Sequence, residues 1–355
     1  MRKRHVLQLT GSPKDTFHEQ LSLAYARDCE QALGSDADFI FLHTRPGGQH
    51  LILSSLHPQS IKNAKPITLG QAIETICMTQ PELALPQMFC REGMTTYRSL
   101  LDLVGVSYIG NLPHTMALTF DKARTRSIVS VAGVRVPTGL VIDFNSPSWQ
   151  SPSSHTDAFS RFEFPVIVKP SCSDNSMGVT LVDDAESLGE AISHAAEFST
   201  EVLVEQFIAP GREVRCGVID VKGELKCLPL QEYDVSGDHP IRLPPDKVTK
   251  NLTGDVELTS RLKSTSHAVS LEDPATETVH DLARKAHIAL GCRHYSLFDF
   301  RIDDDGQPWF LEAGLYCSFA NSSVIATMAS YDSIELRDLF SELAQQSQEK
   351  ELQPC

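Results

Sequence analysis

Two carboxylates, Asp299 and Glu312, have the sequence spacing of residues that face each other across a β-hairpin. Apolar runs flank the turn signal Asp-Asp-Asp-Gly, and a tight turn at residues 305–306 pairs the two carboxylates with Cβ atoms about 5 Å apart. Because facing like charges repel, such a pair normally needs a cation or a shared proton. Oxygen ligands suit Mg²⁺, which completes its shell with phosphate oxygens and water. A solvated pair on an exposed hairpin is the alternative interpretation.

A lysine, Lys169, lies near the end of the apolar run 164–170, and such a lysine is costly to bury unless an anion meets it. The small and polar residues 171–178 follow directly, and their backbone N–H groups could close over phosphates. A plain hairpin turn is the alternative for this loop. A second lysine, Lys122, comes just after Asp121 at the start of a predicted helix that runs to about Ala132.

Composition limits the partners and the number of domains. The chain has 355 residues, which is too long for one ordinary core and predicts two or three packed subdomains. A net charge of -15 argues against nucleic acid or an anionic membrane as a partner. The basic start is followed by too few apolar residues for a signal peptide or a membrane span. Nine scattered cysteines without a CxxC pair favour a reducing cytoplasm as the location.

The elements that must position these residues begin with an alternation of strands and helices in the first 115 residues. This alternation predicts a parallel α/β sheet. The predicted strands are 5–9, 39–42, 83–86 and 106–109, and the predicted helices are 17–33, 68–77 and 94–103.

A second unit begins near Leu118 and has more strands. Its predicted strands are 134–142, 164–170, 179–182, 201–208, a hairpin at 218–230, and the acidic hairpin that carries Asp299 and Glu312. Helices are predicted at 184–196 and from residue 273 to Leu290. The polar stretch 232–250 is long enough to be a functional loop.

Together, these motifs resemble the ATP-grasp fold, and more narrowly the D-alanine–D-alanine ligase group, over about residues 5–345. The resemblance implies an α/β fold in which a parallel α/β domain, the pre-ATP-grasp domain, precedes the ATP-grasp domain. It places the N-terminal domain at 1–117, the central subdomain at 118–205, the C-terminal subdomain with the metal hairpin at 206–345, and a tail at 346–355.

The resemblance also implies roles for individual residues and an ATP-dependent, ADP-forming ligase reaction. Phosphate-binding and catalytic roles fall to Lys122, Lys169 and Ser176. The nucleotide is bound by Lys122, Lys169, Glu205, Gln206, Ile208 and Glu213. Asp299 and Glu312 hold Mg²⁺, with two ions expected and Mn²⁺ as a substitute, and the loop 171–178 acts as a lid over the phosphates.

Two departures from the ligases that make dipeptides concern the metal hairpin. The relatives carry an asparagine where this chain has Gly314, so one metal ligand is missing or comes from elsewhere, with Asn321 as a candidate. They carry an arginine where this chain has Leu297, and that arginine steadies the oxyanion of an acyl intermediate. In the lid, the relatives' serine pair becomes Asn175-Ser176.

Four runs of sequence are similar to those of the ligases that join serine or threonine to mycosporine-glycine. They are LPQMFCREGMTTYRSLLDLVGVSYIGN, GREVRCGVIDVKGEL, LGCRHYSLFDFRID and GQPWFLEAGLYCSFA. In that reaction ATP phosphorylates a ring carbonyl oxygen and the amine then expels phosphate to leave an imine, so no acyl oxyanion forms. The candidates for contacts to these two small-molecule substrates are Arg215, Tyr233, Lys247 and Ser323. A homodimer is implied by the resemblance.

Two other functions remain open from the sequence. One is a D-alanine–D-alanine ligase or another dipeptide ligase of the same fold. The other is a nucleotide-binding module that has lost catalysis, although Lys122, Lys169, Asp299 and Glu312 argue against it.

Overall fold

The computed structural model describes residues 2–146, 159, 162–208, 211–243, 249–250, 256–257 and 266–349, with the backbone alone at 249–250 and 256–257. The strands are β1 Arg4–Gly11, β2 Ala37–Arg45, β3 Gln49–Leu53, β4 Leu83–Pro86, β5 Gly139–Asp143, β6 Val166–Pro170, β7 Thr180–Val182, β8 Glu201–Gln206, β9 Arg212–Val221, β10 Glu224–Cys227, β11 Gln231–Tyr233, β12 Thr249–Lys250, β13 Val256–Glu257, β14 Ser266–Ala268, β15 Tyr295–Ile302 and β16 Pro308–Gly314. The helices are α1 Thr16–Leu33, α2 Pro58–Asn63, α3 Leu69–Thr79, α4 Arg91–Met94, α5 Thr96–Val104, α6 Pro113–Phe120, α7 Lys122–Val131, α8 Leu188–Ala196, α9 Thr276–Ala289, α10 Val324–Tyr331 and α11 Leu336–Glu349.

The first sheet has the strand order β3-β2-β1-β4. Strand β1 is parallel to both β2 and β4, as the alternation of strands and helices predicted. Strand β3 was not predicted, and it pairs antiparallel with β2 after Gly47 and Gly48. Both glycines have positive φ, which lets the chain reverse sharply there. The predicted strand 106–109 makes only a single bridge, from Tyr108 to Ala84.

Two antiparallel sheets form most of the second unit. One has the order β5-β8-β6-β7, and the other has the order β14-β11-β9-β15-β16 with β10 also paired to β9. Strands β12 and β13 pair with each other in a separate two-stranded sheet. The predicted hairpin at 218–230 is confirmed by β9 and β10, which turn at Lys222 and Gly223. Strand β5 begins at Gly139, later than the predicted residue 134.

The larger antiparallel sheet separates an apolar face from a charged one. Val214, Phe298 and Phe300 belong to the apolar core that also contains Val279 and Ala283 of α9. The residues that alternate with them along β9 and β15 point to the opposite face, because successive strand side chains point to opposite sides. That face carries the candidate site.

The first sheet and the last helix share another core. Val6 of β1 and Leu83 of β4 lie in one buried cluster with Leu339, Phe340 and Leu343 of α11. Helix α11 continues to Glu349, past the predicted start of the tail, and α6 spans the predicted boundary at 117. The predicted domain limits therefore stay a prediction.

Two further features concern the cysteines and the helices of the described chain. The eight cysteines in the described ranges are free thiols. None of the helices described combines the length and the apolar character that a membrane span requires.

Candidate active site

The β15–β16 hairpin places Asp299 directly opposite Glu312, as predicted. The predicted turn is wrong, because the chain reverses over a longer turn that begins at Asp303. The Asp303 side chain accepts hydrogen bonds from the Gln307 backbone N–H at 2.7 Å and from the Trp309 ring N–H at 2.7 Å, which stabilise this longer turn. The register then shifts by one residue between Phe300 and Asp299, leaving Leu311 as the extra residue of a β-bulge that restores the predicted pair.

Asp299 also lies opposite Arg215 of β9 on its other side. Arg215 donates two hydrogen bonds to the Asp299 carboxylate, one from Nε to Oδ1 and one from Nη2 to Oδ2 at 2.6 Å. Arg215, Asp299 and Glu312 thus form one row across three strands. The repulsion expected between the two carboxylates is offset by this arginine and by Lys122, whose Nζ lies 3.6 Å from Glu312 Oε2.

One pocket, which we call the nucleotide pocket, has a volume of about 740 Å³. It is lined by all of the residues predicted to bind nucleotide or metal, namely Lys122, Lys169, Ser176, Glu205, Gln206, Ile208, Glu213, Asp299 and Glu312. These residues come from α7, β6, the loop after β6, β8, β9 and the β15–β16 hairpin. The fold therefore brings together side chains that are far apart in sequence.

The two predicted phosphate-binding lysines differ in their surroundings. Lys169 is buried and forms an ion pair with the buried carboxylate of Glu205. Lys122 is the first residue of α7, where the positive end of the helix dipole disfavours a cation. Lys122 donates to the Ser173 carbonyl oxygen in the lid loop. A phosphate next to Lys122 would be stabilised by both the ammonium group and the helix terminus.

The donor chemistry of this pocket fits Mg²⁺ and a nucleoside triphosphate. Two carboxylates on one face supply hard oxygen ligands, and Mg²⁺ is usually held by one or two carboxylates plus phosphate oxygens. Within the described ranges, no group of three or more His, Cys, Asp or Glu side chains could hold a metal by itself.

A second pocket, which we call the acceptor pocket, adjoins the first and has a volume of about 1150 Å³. Its polar lining includes Arg215, Ser323 and Asp174. Its apolar lining consists of Leu21, Tyr25, Phe89, Phe120, Leu297, Ala313, Tyr316 and Val324. Lys122, Ser173, Arg242 and Glu312 line both pockets, so the two pockets adjoin at these residues.

A family model described as the D-Ala D-Ala ligase C-terminus matches residues 129–345, which is more than half of the chain. The chain belongs to the D-alanine–D-alanine ligase family. It is therefore an ATP-dependent ligase that forms a C–N bond and releases ADP. The ATP-grasp fold predicted from the sequence is confirmed by the structural neighbours.

Individual relatives support this assignment. The D-alanine–D-alanine ligase of Bordetella petrii is 29% identical over 250 residues, which cover 70% of this chain and 69% of that protein. The VanG D-Ala:D-Ser ligase from Enterococcus faecalis superposes with a TM-score of 0.78 at 20% identity, over 98% of this chain and 100% of that one. The D-alanine–D-alanine ligase from Bacillus anthracis complexed with ATP gives a TM-score of 0.70 at 17% identity over 98% of both chains. At these identities the two structures show the fold alone, and these comparisons give no support to the narrower resemblance to mycosporine-glycine ligases.

The two departures from the pattern of the dipeptide ligases are neighbours in this ligase. Leu297 pairs with Gly314 across β15 and β16, and both line the acceptor pocket. A side-chain carbon added at Gly314 would meet only the Tyr316 ring, at 3.8 Å, so space is available there. Asn321 does not replace the missing ligand, because it is held by Asp28 of α1 and lines neither pocket.

The predicted substrate residues have different outcomes. Arg215 and Ser323 line the acceptor pocket, and the Ser323 hydroxyl also caps α10 by accepting from the Ala326 N–H at 3.3 Å. Tyr233 is buried and lines neither pocket, and it instead contacts the guanidinium groups of Arg215 and Arg242. Lys247 falls outside the residues that the structure describes.

Sequence reasoning missed two arginines that complete the charged face. Arg242 donates to Glu213 and, at 3.1 Å, to Asp299. Arg301 donates to the other oxygen of Glu213 at 2.9 Å. The signal for Arg242 was its position in the long polar loop 232–250, and the signal for Arg301 was its alternation with Asp299 along β15.

Burial and ion pairing shift the pKa values of these arginines in different directions. Burial disfavours the charged form of Arg215, yet the Asp299 carboxylate outweighs it and raises the pKa of Arg215 well above its usual value. Burial likewise opposes ionisation of Arg242, and Glu213 and Asp299 together raise its pKa. For Arg301, burial exceeds the attraction of Glu213 and lowers its pKa. All three remain cationic near neutral pH, because an arginine begins from a value above 12.

Proposed function

We propose that this ligase transfers phosphate from ATP to an oxygen of one substrate in the acceptor pocket and then joins the amine of an amino acid at the carbon that bears that oxygen. The observation that carries the proposal is that the two pockets adjoin and share Lys122, Arg242 and Glu312 in their linings. Phosphoryl transfer needs the nucleotide and its acceptor side by side, and adjoining pockets supply that arrangement.

The residues of the chain supply binding, orientation and charge. Lys122 and Lys169 bind phosphate oxygens and offset the negative charge that spreads over them during transfer. Asp299 and Glu312 would hold Mg²⁺, which when bound with ATP supplies charge neutralisation and the transferable phosphoryl group. Glu205, Gln206, Ile208 and Glu213 bind the nucleoside. Ser176 and the lid loop limit the access of water to the phosphates.

One candidate for the reaction is peptide-bond formation between two amino acids. The relatives support it, since the B. petrii protein and the B. anthracis structure are both named D-alanine–D-alanine ligases. In this case the phosphorylated oxygen belongs to an amino-acid carboxylate, and Arg215 and Ser323 bind the carboxylate of the amino acid that attacks.

A second candidate is the addition of serine or threonine to mycosporine-glycine, which gives an imine. The cross-strand pair of Leu297 and Gly314 favours it, because an apolar side chain and an open space stand where an acyl oxyanion needs a cationic donor. A ring carbonyl that becomes an imine forms no such oxyanion. The aromatic wall of Tyr25, Phe89 and Tyr316 also suits a planar ring.

The first experiment separates these candidates. The purified protein is incubated with ATP and Mg²⁺, and ADP release, ultraviolet absorbance and product mass are measured with D-alanine alone and with serine or threonine plus mycosporine-glycine. A red-shifted product with the mass of the adduct less water supports the imine-forming reaction. ADP release with a dipeptide mass from alanine alone supports the dipeptide reaction, and no ADP release with any amine contradicts the proposed use of the two pockets. Glu312→Ala serves as the inactive control.

Three finer features belong to the same proposal. Two Mg²⁺ ions are expected in the nucleotide pocket, as the resemblance to ATP-grasp ligases implies, and Mn²⁺, which also accepts carboxylate oxygens, is expected to substitute for them. A homodimer formed through the N-terminal domain is the expected assembly.

A further inference from the structure

Arg242 lies between the two pockets on a segment without regular secondary structure. It follows β11, where residues 234–243 leave the sheet, and its guanidinium group stacks 3.7 Å from the centre of the Tyr233 ring. Arg242 is largely buried and lines both pockets, whereas its neighbour Arg215 lines only the acceptor pocket. Its position therefore gives it access to ligands on both sides.

Arg242 contacts two residues that are expected to bind Mg²⁺ and nucleotide. Its Nε donates to Glu213 Oε1, and its Nη2 donates to Asp299 Oδ2 at 3.1 Å. A carboxylate has about four lone-pair sites. Arg215 already uses one on each oxygen of Asp299, and Arg242 adds a second contact on Oδ2 from the side of the nucleotide pocket.

We propose that Arg242 is an exchangeable counter-ion, which neutralises Asp299 and Glu213 in the nucleotide-free protein and turns to the acceptor pocket when Mg²⁺ and nucleotide bind. There it binds the carboxylate of the second substrate together with Arg215. Arg242 is thus a substrate-binding residue that makes the acceptor pocket ready only after the nucleotide pocket is filled. The identity of its final ligand rests on the proposed function.

Electrostatics supports the exchange. Mg²⁺ on Asp299 would lie within a few ångströms of Arg242, and two cations at that distance in a buried site repel strongly. The Tyr233 ring lets Arg242 move, because a cation remains attracted to an aromatic face over a range of positions. Arg301 stays on Glu213 Oε2 at 2.9 Å, so Glu213 keeps one cationic partner when Arg242 leaves.

The direct test measures metal binding without nucleotide or turnover. Mn²⁺ is titrated into the full chain, and the free ion is followed by electron paramagnetic resonance. Arg242→Gln should bind Mn²⁺ about tenfold more tightly than the wild type, because a competing internal cation has been removed. Arg242→Lys keeps the charge and should stay near the wild type. Equal affinities in all three proteins would overturn the proposal.

Two further variants serve as a replacement and as a control in this measurement. Arg242→Met keeps an apolar stem against Tyr233 and replaces Arg242→Gln if the latter fails to fold. Arg212→Gln removes an arginine from β9 that pairs with Glu232 and Asp273 and lines neither pocket. Its Mn²⁺ affinity should equal that of the wild type.

Calorimetry with Mg²⁺ and ADP gives the second measurement. Arg242→Gln should bind Mg²⁺·ADP more tightly than the wild type, because the same competing cation is absent, while the KM for the carboxylate substrate rises about tenfold or more. A tenfold loss of Mg²⁺·ADP affinity would instead make Arg242 a phosphate ligand and overturn the exchange. Neither binding measurement needs the acceptor, so they separate failure of this proposal from failure of the proposed function.

Discussion

Lys169 and Glu205 neutralise each other inside the nucleotide pocket, so their mutants report on stability as well as on turnover. Lys169→Ala leaves Glu205 as an unpaired buried carboxylate, and we expect it to lower the free energy of unfolding by about 3 kcal/mol and to abolish turnover. The double variant Lys169→Met with Glu205→Gln should recover most of that stability without recovering turnover. Urea unfolding and ADP release measure the two effects.

The Glu312→Ala variant is compared with the Lys169 and Glu205 variants for its effects on stability and turnover. The Glu312 side chain is 27% exposed and lies 3.6 Å from Lys122, so its removal should cost no more than about 1 kcal/mol while turnover is lost. Retained turnover in either the Lys169 or the Glu312 variant would contradict the phosphate and metal roles. Lys226→Ala, which removes an exposed lysine paired with Asp332, is the surface control.

At the residue scale, sequence could identify the charged groups of known motifs but not their counter-ions. Lys122, Lys169, Asp299 and Glu312 were predictable because each stands at a fixed place in a strand or helix. Arg242 was not, because a loop gives no period from which to infer where its side chain points. Tyr233 was assigned to a substrate because the sequence placed it in the predicted loop 232–250, whereas the structure makes it the last residue of β11 and packs it against two arginines.

At the element scale, the start of helix α7 depends on Asp121. Its side chain accepts from the Arg124 N–H at 3.0 Å and from the Ser171 hydroxyl at 2.8 Å, so it joins α7 to the end of β6. Burial raises the pKa of this carboxyl, but these hydrogen bonds and the Arg124 guanidinium outweigh burial and lower it below the ordinary 3.8. The carboxylate therefore stabilises the fold above about pH 3.8, and this contribution disappears as the pH falls through the lowered value.

Asp121→Asn tests this dependence. The amide can still cap the helix, so the loss should be about 1 kcal/mol at pH 7, from the weaker hydrogen bonds. The difference from the wild type should shrink below about pH 4, where the Asp121 carboxylate of the unfolded wild-type chain takes up a proton that the folded protein does not yet bind. Unfolding by urea from pH 3 to pH 7 measures it. Asp281→Asn, in an exposed pair with Lys285, should show almost no difference at any pH, and a constant Asp121 difference would argue against the lowered pKa.

In the β15–β16 hairpin, the sequence predicted the pairing of two residues correctly and the turn incorrectly. The alternation of apolar and charged residues predicted the partners Asp299 and Glu312 correctly. The same alternation predicted the wrong turn. It carries no information about the two hydrogen bonds that the Asp303 side chain accepts, and these bonds stabilise the longer turn. The bulge at Leu311 compensated for that error, so a correct pair resulted from an incorrect turn.

At the scale of the whole molecule, a contact between loop 171–178 and the segment that follows β16 lies in the lining of the acceptor pocket. The Tyr316 hydroxyl donates to Asp174 in the lid loop, and the Tyr316 ring packs edge-on against Phe89 with centres 5.9 Å apart. Both Tyr316 and Asp174 line the acceptor pocket. The contact therefore joins loop 171–178 to the aromatic lining of the pocket in which the proposed phosphorylated intermediate would form.

Tyr316→Phe should loosen this contact while keeping the ring in place. We expect ADP released without ligated product to rise about threefold to tenfold, because water reaches the phosphorylated intermediate. The measurement is the ratio of ADP to ligation product. Tyr331→Phe, at a 40% exposed tyrosine of α10, should keep the wild-type ratio. An unchanged ratio in the Tyr316 variant would mean that the hydrogen bond has no role in excluding water.

The core shared by β1, β4 and α11 has a consequence for the order in which the molecule is built. A ribosome synthesises β1 and β4 long before α11. Val6 and Leu83 can therefore be fully buried only once Leu339, Phe340 and Leu343 have been made and pack against them. The Gln348 side chain then donates to the Glu82 carbonyl oxygen at 3.0 Å, next to β4. The first sheet to emerge thus reaches its final packing only after the last described helix, α11, has been synthesised.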